Sequence, residues 1–405
     1  MATTASSTRG AHATLGFLLF AGALSAFPPV TTDIYLPALP QLTADLHGTV
    51  AQGQHTLAAY FVGLGAGQLF YGPWADRIGR KPPMLIGVAL YLAASLGCAL
   101  TNSIDAMVGL RFLQAAGACA GVVVSSAIVR DRFDHQESAR VLSFILFLRG
   151  LGPMIAPIVG GLVVTYLGWR AIFWTLTGFG LLIGVSVLFG MKESRPEHVA
   201  ERARTESAIG AYLGALKRPK LLAYMAANGL NFSCMFAWIA AAPYLLIGQY
   251  GVPTLWFGWV FAIYAAGFMI ASQVNRRLLR RHPADLILRS GAVGAALAAL
   301  VLIADALSGF GGVLGVMVPL FFVVSSLGLV STNAMAGGLA TDPSRAGTVS
   351  ALFGAGQFAF AGVATWSVGV VAHQTALAMS WVIVISSMGA LAAALVATRG
   401  ARAAA

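Results

Sequence analysis

The chain has 405 residues, 58% of them hydrophobic and only 10% charged, with a formal net charge of +11 and a mean hydropathy of +0.80. No water-soluble fold of this length hides so much apolar side chain, so the composition excludes a soluble globular protein and makes lipid the solvent. The basic charge does not imply a nucleic-acid partner: of 25 Lys and Arg, all but Arg111, Arg149 and Arg170 fall on one side of a simple alternation of apolar and polar segments.

Apolar runs occupy 14–39, 52–73, 83–101, 105–128, 139–164, 170–190, 221–248, 254–275, 285–305, 311–332, 345–370 and 375–397. Each is near the ~20 residues that a helix needs to cross a bilayer core, which predicts twelve transmembrane helices. A transmembrane β-barrel would instead show alternating segments of about ten residues. The remaining basic residues lie before run 1, after run 12, or at the loops between runs 2–3, 4–5, 6–7, 8–9 and 10–11, with Arg140, Arg289 and Arg345 just inside the runs that leave those loops. By the positive-inside rule both termini are then cytoplasmic. Arg9 followed by LGFLLFAGALSAF has the layout of a secretory signal, but its removal would leave eleven spans and break the charge alternation, so run 1 is expected to be retained. Cys98, Cys119 and Cys234 all fall inside runs, without metal-ligand spacing, and read as small packing residues. Neither a metal site nor a disulfide framework is expected.

The longest polar segment, 191–220, separates halves of six runs each, and GPWADRIGRK at 72–81 after run 2 is echoed by NRRLLRR at 275–281 after run 8. This gives a tail 1–13, a bundle 14–190, a linker 191–220, a bundle 221–397 and a tail 398–405. The predicted class is an all-α integral membrane protein, twelve transmembrane helices in two pseudo-symmetric six-helix bundles with the site between them. One chain would supply a whole pathway, so a monomer is expected.

In the 72–81 segment, Gly72 and Gly79 would allow a tight turn. Asp76 would face a helix N-terminus, and Arg77, Arg80 and Lys81 would hold the loop inside. In run 5, G152-P-M-I-A-P-I-V-G-G161 places Pro153 and Pro157 four apart, with Gly150, Gly152, Gly160 and Gly161 offering a smooth face to a partner helix. Asp33 in TTDIYLPALP and Arg111 in run 4 each lie roughly 9–10 Å inside the same predicted boundary at 1.5 Å per residue, so they could share a layer. A charge inside a membrane helix costs about 2.5–3.5 kcal/mol on insertion scales and faces a cavity or a partner. The plainer alternatives are an interfacial Asp33 hydrated at the mouth and an Arg111 that snorkels outward. Arg149, about 16 Å deep in run 5, needs either a polar neighbour or an anionic or strongly polar substrate. Tyr35, Tyr60, Gln68, Gln114, Asn228, Asn231, Trp238 and Gln357 complete a candidate amphiphilic pocket. Asn228 and Asn231, three apart, share one helix face, where interhelical bonding is the commoner use of such residues.

The 72–81 segment resembles the loop signature G-x-x-x-D-R-x-G-R-K of the major facilitator superfamily at every fixed position. L110-R-F-L-Q-A-A-G117 resembles the arginine-bearing motif of its proton-coupled members. G152–G161 resembles the antiporter motif, with Ala156-Pro157 in place of Gly-Pro. With D33-I-Y-L-P-A-L-P40 and G168-W-R-A-I-F173, the chain resembles the bicyclomycin and chloramphenicol resistance branch of drug:proton antiporters. The resemblance implies export rather than uptake, with Asp33 and Arg111 as the proton-coupling pair: Asp33 would take a proton outside and lose it inside, in competition with the drug. A proton-coupled transporter of a small polar or anionic metabolite remains the alternative. H-E-x-x-H, G-x-S-x-G and P-loop patterns are missing, which disfavours an enzyme and ATP as the energy source. The expected partners are a small-molecule substrate, protons and membrane lipid, with no cofactor beyond the proton gradient. The expected location is a bacterial inner membrane.

Overall fold

The computed structural model describes residues 14–197, 199–201, 207–370 and 375–399. The predicted tail 1–13, with Arg9, and residues 400–405 lie outside the described residues. The first six long helices are α1 Leu15–Asp33, α2 Val50–Ile78, α3 Lys81–Leu100, α4 Ile104–Arg132, α5 His135–Leu167 and α6 Trp169–Val185. A short helix, Ala208–Leu216, lies in the linker. The second six are α7 Pro219–Ala242, α8 Thr254–Leu278, α9 Ala284–Ser308, α10 in two abutting pieces Gly312–Ser325 and Leu327–Thr341, α11 Ala346–Val370 and α12 Thr375–Ala397.

Among the described residues eleven of these spans are long and apolar enough to cross a membrane, and α2 is the one that falls short. The reason is its Gln52, Gln54, His55 and Gln68. Helix α2 runs between α4 of its own half and α11 of the other, so these polar groups meet protein more than hydrocarbon.

Run 1, predicted as one helix to residue 39, breaks after Asp33. Pro37 has no N–H to give the Asp33 carbonyl, so the chain tightens into a single 3₁₀ turn at Leu36–Ala38 and resumes as Leu39–Asp45. In the second half the corresponding place is Pro243, where α7 widens into a π-type stretch, Pro243–Gln249. The two interruptions touch each other across the halves. Paired interruptions of this kind mark the substrate region in transporters built from repeats.

Helix α5 is continuous through Pro153 and Pro157. A Cβ at Gly160 would collide with the Ile34 carbonyl oxygen, and one at Gly161 with the Thr254 carbonyl oxygen, so these two glycines let α5 lie against the break in run 1 and the start of α8. The smooth face expected of four glycines belongs to these two: Gly150 faces open space and Gly152 makes only ordinary contacts.

The α2–α3 turn is made by Gly79 alone, at φ +106°, a backbone conformation that favours glycine. Gly72 sits inside α2 with open space around it. Arg80 bonds to Asp76, and its Nε donates to Asp131 Oδ2 at 2.8 Å. Arg195 donates to the backbone carbonyls of Asp76 and Arg77, and Lys81 Nζ to the Leu188 carbonyl at 2.9 Å. Glu193, after the sixth span, reaches the start of α3 and accepts from the backbone N–H groups of Arg80 (2.9 Å), Lys81 (3.2 Å), Ser194 and Arg195 (both 3.0 Å). A Cβ at Gly79 would lie 2.6 Å from Glu193 Oε2.

Burial alone would push the Glu193 carboxyl up, but the four N–H donors outweigh it and hold it below the usual carboxylate range. A depressed folded value means that the stabilisation is fully present above the unfolded value near ~4.3 and is lost as pH falls through the lower folded one. Because Glu193 is exposed, solvent screening limits the effect. Glu193→Gln is expected to lower stability by about 0.5–1 kcal/mol at neutral pH, on the scale of a helix cap. In thermal melts across pH, the gap from wild type should close once pH falls below ~4.

Candidate functional site

Helix α4 carries Arg111 to a position with no exposed surface. Nη1 donates to Gln114 Oε1 at 2.6 Å, one turn along the same helix; Gln114 Nε2 donates to Ser95 Oγ at 2.7 Å, and Ser95 Oγ to the Tyr91 carbonyl at 2.7 Å. The guanidinium carbon lies 4.3 Å from the ring centroids of both Tyr35 and Tyr60. Those rings are themselves anchored, Tyr35 OH at 2.8 Å from Thr56 Oγ1 and Tyr60 OH donating to the Pro28 carbonyl at 3.0 Å. Cation–π attraction of about 2 kcal/mol or more per desolvated ring replaces part of the lost hydration. Arg111 Nε and Nη2 are buried with no acceptor.

Asp33 ends α1 and is 6% exposed. Among the described residues no ion pair or hydrogen bond reaches its carboxylate. Tyr60 lies within electrostatic reach of both Asp33 and Arg111, so the two charges share one neighbourhood without pairing. Arg149 on α5 is half-buried, has no hydrogen-bond or ion-pair partner among the described residues, and acts electrostatically on the Cys119 thiol of α4.

The predicted polar residues of the second half form a separate group. Asn228 Oδ1 accepts from Ser331 Oγ at 2.6 Å, and Asn231 Nδ2 donates to Ser326 Oγ at 3.1 Å, both across to α10. Their shared face therefore serves interhelical bonding, although Asn231 Oδ1 stays unpaired. Trp238 stacks on Phe261 at 5.8 Å and tilts against Tyr264 at 5.1 Å, its buried Nε1–H lacking an acceptor. Gln68 presses on Gly354 of α11, and Gln357 is half-buried without a described partner.

Contacts between the halves at the end away from the linker were not foreseen. Thr43 Oγ1 lies 2.7 Å from Tyr244 OH, Gln54 Nε2 donates to the Ala240 carbonyl at 3.3 Å, and the His55 ring stacks on Trp366 at 6.2 Å. Phe61 meets Phe236 at 4.3 Å. Thr43 and Tyr244 are ordinary residues in sequence, and only the paired interruptions at Pro37 and Pro243 hint that their surroundings meet. Among the described residues no cluster of His, Cys, Asp or Glu could hold a metal.

Two interrupted spans meeting between two six-helix halves, beside a buried acid and a caged arginine, define a membrane transporter of the alternating-bundle class. The family model described as Major Facilitator Superfamily matches residues 15–365, and the chain belongs to that superfamily. It is 34% identical over 343 residues to the bicyclomycin resistance protein homolog of Haemophilus influenzae, covering 85% of this chain and 86% of that one. It is 33% identical over 340 residues to a chloramphenicol resistance protein of Pseudomonas aeruginosa, covering 83% and 78%. Among solved structures, a D-xylose-proton symporter aligns with a TM-score of 0.74 at 16% identity, over 94% of this chain and 96% of that one. A bacterial homolog of the human lysosomal transporter Spinster, inward-facing and occupied, aligns with a TM-score of 0.73 at 16% identity, over 94% and 96%. At those identities the solved structures speak to the fold alone.

Removing the acceptor of a buried charge-assisted bond costs about 1.5–3 kcal/mol. Gln114→Leu is therefore expected to lower unfolding stability in detergent by that amount, read by tryptophan emission, whereas Gln357→Leu, which breaks no described bond, should stay within about 0.5 kcal/mol of wild type.

Proposed function

We propose that this chain exports drug-like small molecules of the chloramphenicol or bicyclomycin type across a bacterial inner membrane, by alternating access driven by the proton gradient. The names of its relatives support the cargo. One structural observation carries the coupling: Asp33 is a buried carboxylate without a counter-ion among the described residues, set at a helix break where the two halves touch. Such a group is stable when it holds a proton or a cationic or polar ligand, and costly when it holds neither. A proton taken from outside and a drug taken from inside then compete for one region and travel in opposite directions.

In this reading the bundles 14–190 and 221–397 rock against each other. Residues 191–220 and both termini lie on the cytoplasmic side. One chain holds the pathway as a monomer, and no cofactor or chemical transformation takes part. Arg111, fixed between Tyr35 and Tyr60, offers its unpaired Nε and Nη2 to polar oxygens of the cargo. Tyr35, Tyr60 and Trp238 supply flat apolar walls, and the buried, unpaired Asn231 Oδ1 an acceptor. Arg149, half-buried with no ion-pair partner among the described residues, favours a second reading, coupled transport of a small polar or anionic metabolite.

The test is chloramphenicol uptake into inverted membrane vesicles energised with an acid interior. Wild type should accumulate drug, and Asp33→Asn, at equal insertion, should fall to the level of empty vesicles. Undiminished gradient-driven uptake by Asp33→Asn would remove Asp33 from the mechanism. Transport of an organic acid that Arg149→Met abolishes, with no drug uptake by wild type, would replace the export reading with the second one.

A further inference from the structure

The linker ends in the run K217-R-P-K220, at the foot of α7. There a groove of about 700 Å³ opens between the starts of α7 and α9 and the last turn of α10. Its floor is the Tyr224 ring, for which Gly337 leaves room. Most of the charge at its rim is already spent. Arg218 Nη1 donates to the Thr341 carbonyl at 2.9 Å and pairs with Asp342 at 3.1 Å. Asp285 accepts from Tyr224 OH at 2.9 Å, and Arg289, one turn along α9, is bonded to Thr398. Lys217 and Lys220 are exposed, and nothing among the described residues pairs with either. Both helices that open on the groove begin without a side-chain cap, so their first N–H groups add positive potential at its mouth.

The surroundings of this cationic mouth are apolar. Leu222 and Leu286, on the first turns of α7 and α9, are 40% and 50% exposed. The linker helix Ala208–Leu216 carries no charge, and Ile209, Leu213 and Leu216, at positions i, i+4 and i+7, make an exposed stripe leading into Lys217. Free cations above exposed aliphatic side chains at the end of a membrane span match an amphiphile with an anionic head. A free phosphate would use only the upper part of such a surface.

We propose that the groove between α7, α9 and α10 binds an anionic phospholipid, its phosphate held by Lys217 and Lys220 and its acyl chains lying along Leu216, Leu222 and Leu286. The site lies outside the drug and proton machinery. A bound lipid would seat the linker helix on the membrane surface and tie it to the foot of the second half.

Native mass spectrometry of protein extracted from mixed phosphatidylglycerol and phosphatidylcholine membranes tests this directly, because it reads lipid rather than drug. Wild type should retain phosphatidylglycerol in preference to phosphatidylcholine. The double variant Lys217→Gln/Lys220→Gln should lose that preference by roughly tenfold or more. Arg276→Gln/Arg277→Gln, which removes the same charge from the end of α8, should keep it. Equal retention in the Lys217/Lys220 variant would overturn the proposal, and so would an equal loss in the Arg276/Arg277 control. Displacement of the lipid by millimolar inorganic phosphate would mean a free-anion site and would overturn it as well.

Discussion

A guanidinium buried in a membrane protein without a carboxylate beside it must be held by other means, and the first half is arranged around how Arg111 is held. Two tyrosine faces, one glutamine oxygen and a relay through Ser95 to the backbone of α3 surround it. Each of those groups comes from a different span: Tyr35 from beyond α1, Tyr60 from α2, Gln114 from α4, Ser95 from α3. The cation therefore fixes the relative rotation of four helices. It also leaves Asp33 without an ion-pair partner among the described residues. A direct Asp33–Arg111 ion pair would be hard to break once desolvated, whereas an arginine held by two rings and one amide does not depend on Asp33 for its contacts.

The helix breaks give that chemistry its place. Pro37 ends the hydrogen-bond ladder of α1 at Asp33, and Gly160 brings α5 against the neighbouring Ile34 carbonyl. Gly161 presents the same helix to Thr254 of the second half. Two adjacent glycines thus bring α5 against both halves beside the residue that follows the acid. At the linker end, the Glu193 clasp and the Asp76–Arg80–Asp131 network tie the α2–α3 turn to α4 and to the segment after the sixth span.

Much of this was legible in the residues. Twelve apolar runs became twelve long helices, eleven of them long and apolar enough to cross a membrane, because hydrocarbon admits only long helices here. Gly79, Asp76 and Arg80 declared a structured turn by their spacing. The closeness of Tyr35, Tyr60, Gln114 and Arg111 was only partly legible: depth along a helix can be counted from its end, but rotation about its axis cannot. For that reason an Asp33–Arg111 layer could be expected while the absence of an ion pair could not. Asn228 and Asn231 shared a face as their spacing requires, but periodicity does not say that serines of α10 would occupy that face. Glu193 went unnoticed because an acid in a basic linker looks like solvated charge until the chain brings it to the start of α3. Gly72 and Gly150 show the converse, since glycine types in a motif do not say which of them meets another backbone.

The central claim is that Asp33 exchanges a proton for cargo, and the most direct measurement is proton release when chloramphenicol binds to the purified protein. Calorimetry in two buffers of different ionisation enthalpy, repeated across a pH series, gives the number of protons released per drug bound. The account predicts release by wild type over a defined pH range and none by an Asp33→Asn protein that still binds the drug. Binding by wild type without proton exchange at any pH, or the same release from Asp33→Asn, would contradict it.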